Sequence, residues 1–197
     1  MGLLKSGGFW FLLFILLLAF NAFTFMRTDS FDAIGGLFSE FSGFAGEQKP
    51  LAVNEMQVFF CPEDNCSVQL IEKIDSAQKS IYVAIYSFTL DELSDALIRA
   101  KARGVDVKVV FDYGQSQNDY SDDEKLAAAG ISIARRNGAG YMHNKFAVID
   151  GALVATGSFN YSSNADEKND ENLIFISSPE LAAQYKTEFD ELWASAS

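Results

Sequence analysis

The sequence contains little histidine, cysteine or positive charge. Of its 197 residues, one is histidine, two are cysteine and 15 are lysine or arginine, against 27 aspartate or glutamate. Two thiols are too few for a structural zinc site, which takes four ligands. Cys61 and Cys66 therefore either form a small disulfide loop or remain free thiols. Because His143 is the only histidine, a reaction that needs two imidazoles must take the second from another copy of the chain.

The shortage of cations restricts the partners that the chain can bind. Up to Pro50 there are 3 basic and 4 acidic residues, and after it 12 basic and 23 acidic ones, so most of the formal net charge of −12 belongs to the C-terminal part. An acidic body argues against broad, sequence-independent affinity for nucleic acid, which normally uses a basic face. A local basic cleft remains compatible with this composition.

One long apolar run lies at the N-terminus, where Ser6 to Met26 carry no charge. These residues would span about 31 Å as a helix, enough to cross a bilayer. A cleavable signal peptide is the alternative, but large or polar residues interrupt the small-residue spacing that cleavage needs. We therefore predict a transmembrane helix as a membrane anchor over residues 1–27. Lys5 and Arg27 give little orientation bias, and an extracytoplasmic body is our working prediction.

The rest of the chain divides at Pro50. Residues 28–50 are rich in Gly, Ser and Phe, which predicts a flexible linker, with a short interfacial helix as the alternative. Residues 51–197 suffice for one domain with a core. They alternate between apolar β-rich runs and amphipathic stretches. Strands are predicted at 56–60, 80–88, 105–111, 145–149, 153–156 and 173–176, and helices at 68–78, 90–103, 124–129 and 179–194. This predicts an α/β fold, with a mixed β-sheet flanked by helices on both faces.

The stretch around His143 combines residues suited to phosphate chemistry. In a strand, residues two apart point the same way, so His143 and Lys145 should project together. A hairpin at Asp150-Gly151 would return the chain and bring Ser158 and Asn160 beside them. An imidazole is partly neutral at physiological pH and can attack phosphorus or move protons. A lysine can neutralise a phosphate oxygen, and Ser and Asn add neutral donors.

The pattern is H-x-K-x4-D-x6-G-S-x-N, and it closely resembles the signature of the phospholipase D superfamily. It is formed by His143, Lys145, Asp150, Gly157, Ser158 and Asn160. The resemblance covers roughly residues 55 to 195 and is to the small single-motif branch, whose members include endonucleases and hydrolases acting on cardiolipin. It implies that Glu171 holds the nucleophilic histidine through its other ring nitrogen. A surface carboxylate at the edge of a strand is the alternative for Glu171.

The resemblance also implies a mechanism and an assembly. One histidine attacks phosphorus to form a phosphohistidine, a second protonates the leaving oxygen, and water then releases the product. With one motif per chain, the active site should lie on the twofold axis of a homodimer. No metal or cofactor is implied. The catalytic candidates are His143, Lys145, Asp150 and Glu171, and Lys145, Ser158 and Asn160 are expected to bind the phosphate. Asp150 is kept as a motif residue, although its turn position favours a structural role.

Other residues near the motif have two interpretations each. Arg135, Arg136 and Lys168 could line a groove or be solvated surface charges. Tyr141 and Tyr161 could stack on bases, contact acyl chains or pack structurally. The leading hypothesis is a membrane-tethered endonuclease acting on DNA or RNA. A hydrolase of phospholipid headgroups or cardiolipin is the alternative, and the intact motif disfavours a catalytically silent scaffold.

Overall fold

The computed structural model describes residues 51–196. Its seven strands are β1 (Glu55–Cys61), β2 (Ser80–Ile85), β3 (Asp106–Asp112), β4 (Ser132–Arg136), β5 (Lys145–Ile149), β6 (Leu153–Gly157) and β7 (Glu171–Ser177). Its six helices are α1 (Cys66–Ser76), α2 (Asp91–Ala102), α3 (Tyr113–Ser116), α4 (Asp123–Ala128), α5 (Ser163–Glu167) and α6 (Pro179–Ala194). The predicted anchor over 1–27 and linker over 28–50 lie outside these residues. Within residues 51–196, no helix combines the length and apolarity that a membrane crossing requires.

The strands form one mixed sheet in the order β1-β7-β6-β5-β2-β3-β4. The β2, β3 and β4 strands run parallel to one another, and all other neighbours are antiparallel. The mixed sheet predicted from the sequence is confirmed. Strand β4 was not predicted, since its five residues end in two arginines and show no strong alternation. Parallel pairing with β3 stabilises this short segment as a strand.

Helices cover both faces of the sheet, as predicted. On the first face, α1 and α2 bury Leu70, Ile74, Leu93 and Leu97 against alternate residues of the central strands. On the second face, Phe189 of α6 belongs to a separate apolar cluster, together with the strand residues that point to that face. The central strands are therefore apolar on both sides, which explains why β2 and β5 are continuous hydrophobic runs.

The sheet topology brings the motif residues other than Asp150 to the side of the sheet where β2 and β3 end and β5 begins, which we call the motif edge. The register pairs Ile85 at the end of β2 with Lys145 at the start of β5. It also pairs Cys61 at the end of β1 with Glu171 at the start of β7. The ends of β3 and β6 reach the same edge because β3 is parallel to β2, and β6 antiparallel to β5. A disulfide joins Cys61 to Cys66, so the alternative of two free thiols was wrong.

The opposite edge carries the predicted hairpin. Asp150 and Gly151 both have positive φ, 53° and 66°, as a two-residue type I′ turn requires. The Ala152 amide donates to the Ile149 carbonyl at 3.1 Å and closes the turn. Strands β5 and β6 are therefore held in the register that brings the two halves of the motif back to the same edge.

Candidate active site

Lys145 and His143 lie together where β5 begins. The Lys145 ammonium donates to the His143 backbone oxygen at 2.9 Å, and it lies 3.2 and 3.4 Å from the two ring nitrogens. Lys145 is 9% exposed, whereas the His143 side chain is open to solvent. Burial lowers the pKa of Lys145, and the negative charge of Glu171 counteracts part of this effect. The structure thus confirms that the two side chains project together, with a fixed cation beside an accessible imidazole.

Tyr86 is a site residue that sequence reasoning missed. Its ring centroid lies 4.4 Å from that of His143, and the Lys145 ammonium lies 5.1 Å from the same centroid. The Tyr86 amide bonds to the Asn144 carbonyl at 2.9 Å, and its hydroxyl accepts from Gln115 at 3.2 Å. Tyr86 follows β2 directly. The sequence feature that could have identified it is a polar aromatic residue at the end of a buried strand. It supports the imidazole from one side.

Ser158 and Glu171 form a hydrogen-bonded pair beside Lys145. The Ser158 hydroxyl donates to a Glu171 carboxylate oxygen at 2.5 Å and accepts from the Asn172 amide at 3.1 Å. Asn169 donates to the other carboxylate oxygen at 3.3 Å. The expected Glu171–His143 hydrogen bond is absent from residues 51–196, because Ser158 and Asn169 occupy the carboxylate while the imidazole faces Lys145 and Tyr86. In the structure Glu171 contacts Ser158, and its charge raises the pKa of Lys145 against the effect of burial.

Gly157 and Asn160 complete the second half of the motif. Gly157 has φ of 149°, and a Cβ there would overlap the Asn172 backbone oxygen, so only glycine allows this close approach. The Asn160 side-chain oxygen is buried and has no hydrogen-bond partner within residues 51–196. A buried polar atom without a partner is costly. This oxygen can only accept a hydrogen bond, so a contact of Asn160 with a phosphate oxygen would have to come from its amide nitrogen.

Asp150 lies at the other end of β5 from His143. Asp150 follows His143 by seven positions, which corresponds to about 20 Å in an extended chain. Its carboxylate accepts from the backbone amides of Gln78, Lys79 and Ser80 at 2.7 to 3.2 Å. Burial opposes ionisation, but these amides more than offset it and lower the pKa of Asp150. These contacts are those of a structural anchor, and the place of Asp150 among the catalytic candidates stays a prediction.

Three of the flanking residues are structural or remote. Arg135 pairs with the buried Asp123. Tyr161 is 2% exposed and packs edge-on against Phe88 at 5.1 Å. The exposed Lys168 donates to Asn164 on its own surface helix.

The other two flanking residues line one cleft, and Tyr141 connects that cleft to the site. Tyr141 is 75% exposed, and its ring centroid lies 5.8 Å from that of Tyr86, which in turn contacts His143. Arg136 is at the end of β4 and has no carboxylate within ion-pair distance in residues 51–196. A neutral aromatic surface and a cation without an ion-pair partner in residues 51–196 therefore line the same cleft on the β3–β4 side.

No three His, Cys, Asp or Glu side chains in residues 51–196 come together as a metal site would require. The positive charge nearest the imidazole is that of Lys145. The expectation of metal-independent chemistry stays a prediction.

Comparison with known proteins identifies the family of this chain. The family model for the cardiolipin synthase, phospholipase D-like domain matches residues 70–193. A phospholipase D from Rickettsia bellii is 36% identical over 135 residues, covering 68% of this chain and 67% of the relative. The mitochondrial cardiolipin hydrolase of Chlamydomonas reinhardtii is 34% identical over 125 residues, 64% of this chain. The match spans only 56% of that longer relative.

One solved structure resembles this chain in both fold and sequence. Nuc from Salmonella typhimurium, a phospholipase D family member, superposes with a TM-score of 0.70 and 34% identity. The match covers 73% of this chain and 96% of Nuc. The chain belongs to the phospholipase D superfamily. It is an enzyme of the phosphodiesterase class.

Proposed function

We propose that this enzyme is a metal-independent nuclease that works through a phosphohistidine. The observation that carries the chemistry is the buried Lys145 ammonium 3.2 Å from a ring nitrogen of the exposed His143. An imidazole nitrogen attacks phosphorus, and the bond to the leaving oxygen breaks. Lys145 neutralises a non-bridging oxygen as negative charge grows there. Water then attacks the phosphohistidine, which releases the phosphate product and the free imidazole.

The scheme needs a second imidazole to protonate the leaving oxygen and then to activate water. Because the chain has one histidine, the second must be His143 of another copy, placed across a twofold axis. A surface for that copy adjoins the site. Met56, Val58 and Phe60 alternate along the edge strand β1 and remain exposed. Two of them pair with Ile174 and Ile176 of β7, so an apolar face extends towards the motif edge.

Placing a charge on this face should separate the two copies. Val58→Asp puts a carboxylate at the centre of the apolar face, where dimer formation would have to bury it. We expect a shift from dimer to monomer at micromolar concentration and a loss of kcat of about 100-fold or more, with the thermal midpoint of the monomer retained. Size-exclusion chromatography with light scattering measures the first effect. Ala127→Asp on the exposed side of α4 is the control and should remain dimeric. An active, monomeric Val58→Asp enzyme would exclude the shared site.

Nucleic acid is the substrate that the surroundings of His143 favour. Tyr86 and the Lys145 ammonium lie next to the imidazole, with Tyr141 beyond Tyr86. The exposed aliphatic side chains of Met56 and Val58 lie out on β1 instead. The names of relatives that act on cardiolipin or as phospholipase D, together with the predicted anchor, favour the second candidate, hydrolysis of a phospholipid headgroup.

The substrate test uses the full-length protein with excess chelator. Single-stranded DNA and RNA oligonucleotides are compared with vesicles of cardiolipin and of phosphatidylcholine. We expect cleavage of the oligonucleotides and no release of product from either vesicle. His143→Asn prepared in the same way controls for contaminating enzymes. Vesicle hydrolysis without oligonucleotide cleavage would replace the nuclease by the lipid hydrolase.

We further propose that residues 1–27 tether the enzyme to a membrane with its catalytic body on the extracytoplasmic side. The Cys61–Cys66 disulfide supports this side, since disulfides persist in oxidising compartments. Mapping the location of the C-terminus in intact cells tests the orientation, and a cytoplasmic C-terminus would contradict it.

A further inference from the structure

A cleft of about 440 Å³ opens beside the nucleophile on the β3–β4 side. One wall is Tyr113 and Gly114 of α3, and the other is the segment from Arg136 to Tyr141. It adjoins the reacting centre through two aromatic contacts, because Tyr141 packs on Tyr86 and Tyr86 packs on His143. Its volume lies in the range of small-ligand sites.

A buried carboxylate holds both walls in place. Asp112 is 3% exposed. One of its oxygens accepts from the Gln115 amide of α3 at 3.0 Å, and the other accepts from the Met142 amide at 2.8 Å. Because a single side chain ties α3 to the segment that leads into His143, the width of the cleft is set before a ligand arrives. A preformed cleft avoids the entropy cost of ordering its walls on binding.

Two exposed aromatic side chains border the cleft. Tyr141 is 75% exposed and Tyr113 is 41% exposed. Glycines at 138 and 140 keep the facing wall free of bulk. Stacking of a base on an exposed aromatic ring is the main sequence-independent attraction in single-strand binding. A base in a duplex is already stacked and paired, so this arrangement favours an unpaired nucleotide.

The cleft also contains a cation that the protein leaves unpaired. Arg99, Arg103 and Arg135 each form an ion pair with an aspartate. Arg136 forms none within residues 51–196, although the chain carries a net charge of −12. Its guanidinium occupies the space where a Gly138 side chain would be. A guanidinium without a carboxylate partner matches a phosphate in charge and geometry.

We propose that this cleft binds the nucleotide next to the scissile phosphate of a single-stranded nucleic acid, with its base stacked on Tyr141 and its outer phosphate on Arg136. The inference rests on the proposed nuclease function and specifies its substrate. The residues that line the cleft are tyrosine, arginine, aspartate, asparagine, glycine and alanine, so it offers a nucleotide aromatic faces, a cation and hydrogen-bonding groups. The cleft would thus hold the strand while His143 attacks the phosphate beside it.

The test compares an intact single-stranded oligonucleotide with one of equal length that carries an abasic residue beside a single cleavable phosphate. The full-length dimer is used with chelator. We expect Tyr141→Leu to lower the ratio of kcat/KM for intact over abasic substrate about tenfold, consistent with the loss of one stacked base. Tyr141→Phe should restore the ratio. Tyr120→Leu, which removes an 80% exposed tyrosine outside the cleft, is the matched control and should leave the ratio unchanged.

Arg136→Gln provides an independent readout. It should raise KM and reduce the salt dependence of KM by the amount expected for one phosphate contact. If wild type cuts the oligonucleotides and Tyr141→Leu keeps the wild-type ratio, the cleft assignment fails while the nuclease stands. If wild type cuts only cardiolipin vesicles, both fail. If Tyr141→Leu impairs vesicle hydrolysis as much as oligonucleotide cleavage, the cleft binds a lipid headgroup instead.

Discussion

His143→Asn is expected to lower kcat by about 10⁴-fold or more while leaving the fold intact. Asparagine has no nucleophilic nitrogen, and loss of a covalent nucleophile costs this much in comparable enzymes. Since the chain has no other histidine, a dimer of the variant contains neither the nucleophile nor the general acid. His143 is exposed, and Tyr86 and Lys145 are its side-chain partners, so little packing is lost.

Turnover in the presence of chelator and the thermal midpoint are measured together. The midpoint should stay within a few degrees of wild type, and substantial remaining activity would exclude the covalent scheme. Mixing the variant with Lys145→Ala chains adds a test of sharing. Each mixed dimer then has one His143 and one Lys145 on different chains, so little rescue is expected. Full rescue would show that one His143 and one Lys145 on different chains suffice, which would contradict a site that needs both residues from both chains.

Asp150→Ala is expected to lower the free energy of unfolding by about 2–3 kcal/mol. Three backbone amides, from Gln78 to Ser80, lose a charged acceptor. Alanine also tolerates the φ of 53° less well than aspartate does. Chemical denaturation measures the change. The activity of the folded fraction should remain near that of wild type, because the residue lies about 20 Å from the nucleophile.

Asp150→Asn is the matched control, since asparagine accepts the positive φ and keeps a neutral oxygen. The pKa of Asp150 lies below its ordinary value of 3.8, so its charge stabilises the fold above that pH. The advantage of wild type over Asp150→Asn should be constant from pH 7 to 5 and diminish as the pH falls below about 4. A stable Asp150→Ala protein without activity would instead assign this residue to catalysis.

The sequence predicted the residues that meet at the site better than the contacts between them. Strand periodicity and the turn at Asp150-Gly151 sufficed to place His143 beside Lys145, because both signals are local. The partner of Glu171 could not be predicted in this way, since it depends on how β6 and β7 approach each other across Gly157. Tyr86 was missed for the same reason. Its role arises from pairing between β2 and β5, which are far apart in the chain.

The hydrophobic pattern of the sequence predicted the long helices and most strands, and the exceptions have physical causes. The closing helix α6 matched its predicted bounds because Ser178 caps it and Pro179 begins it. Strand β4 was not predicted because its stability comes from β3, and two of its five residues are arginines. The disulfide was one of two alternatives, since the spacing of two cysteines does not reveal how their backbones approach.

The location of β5 within the sheet separates the residues that stabilise the fold from the residues proposed to carry the chemistry. Its neighbours on both sides hold it along its length, with the reacting groups at one terminus and the amide-binding carboxylate at the other. Substitutions so far apart combine additively. A substitution that raises the stability of the turn can therefore be combined with one that alters the chemistry at the imidazole, and each keeps its own effect.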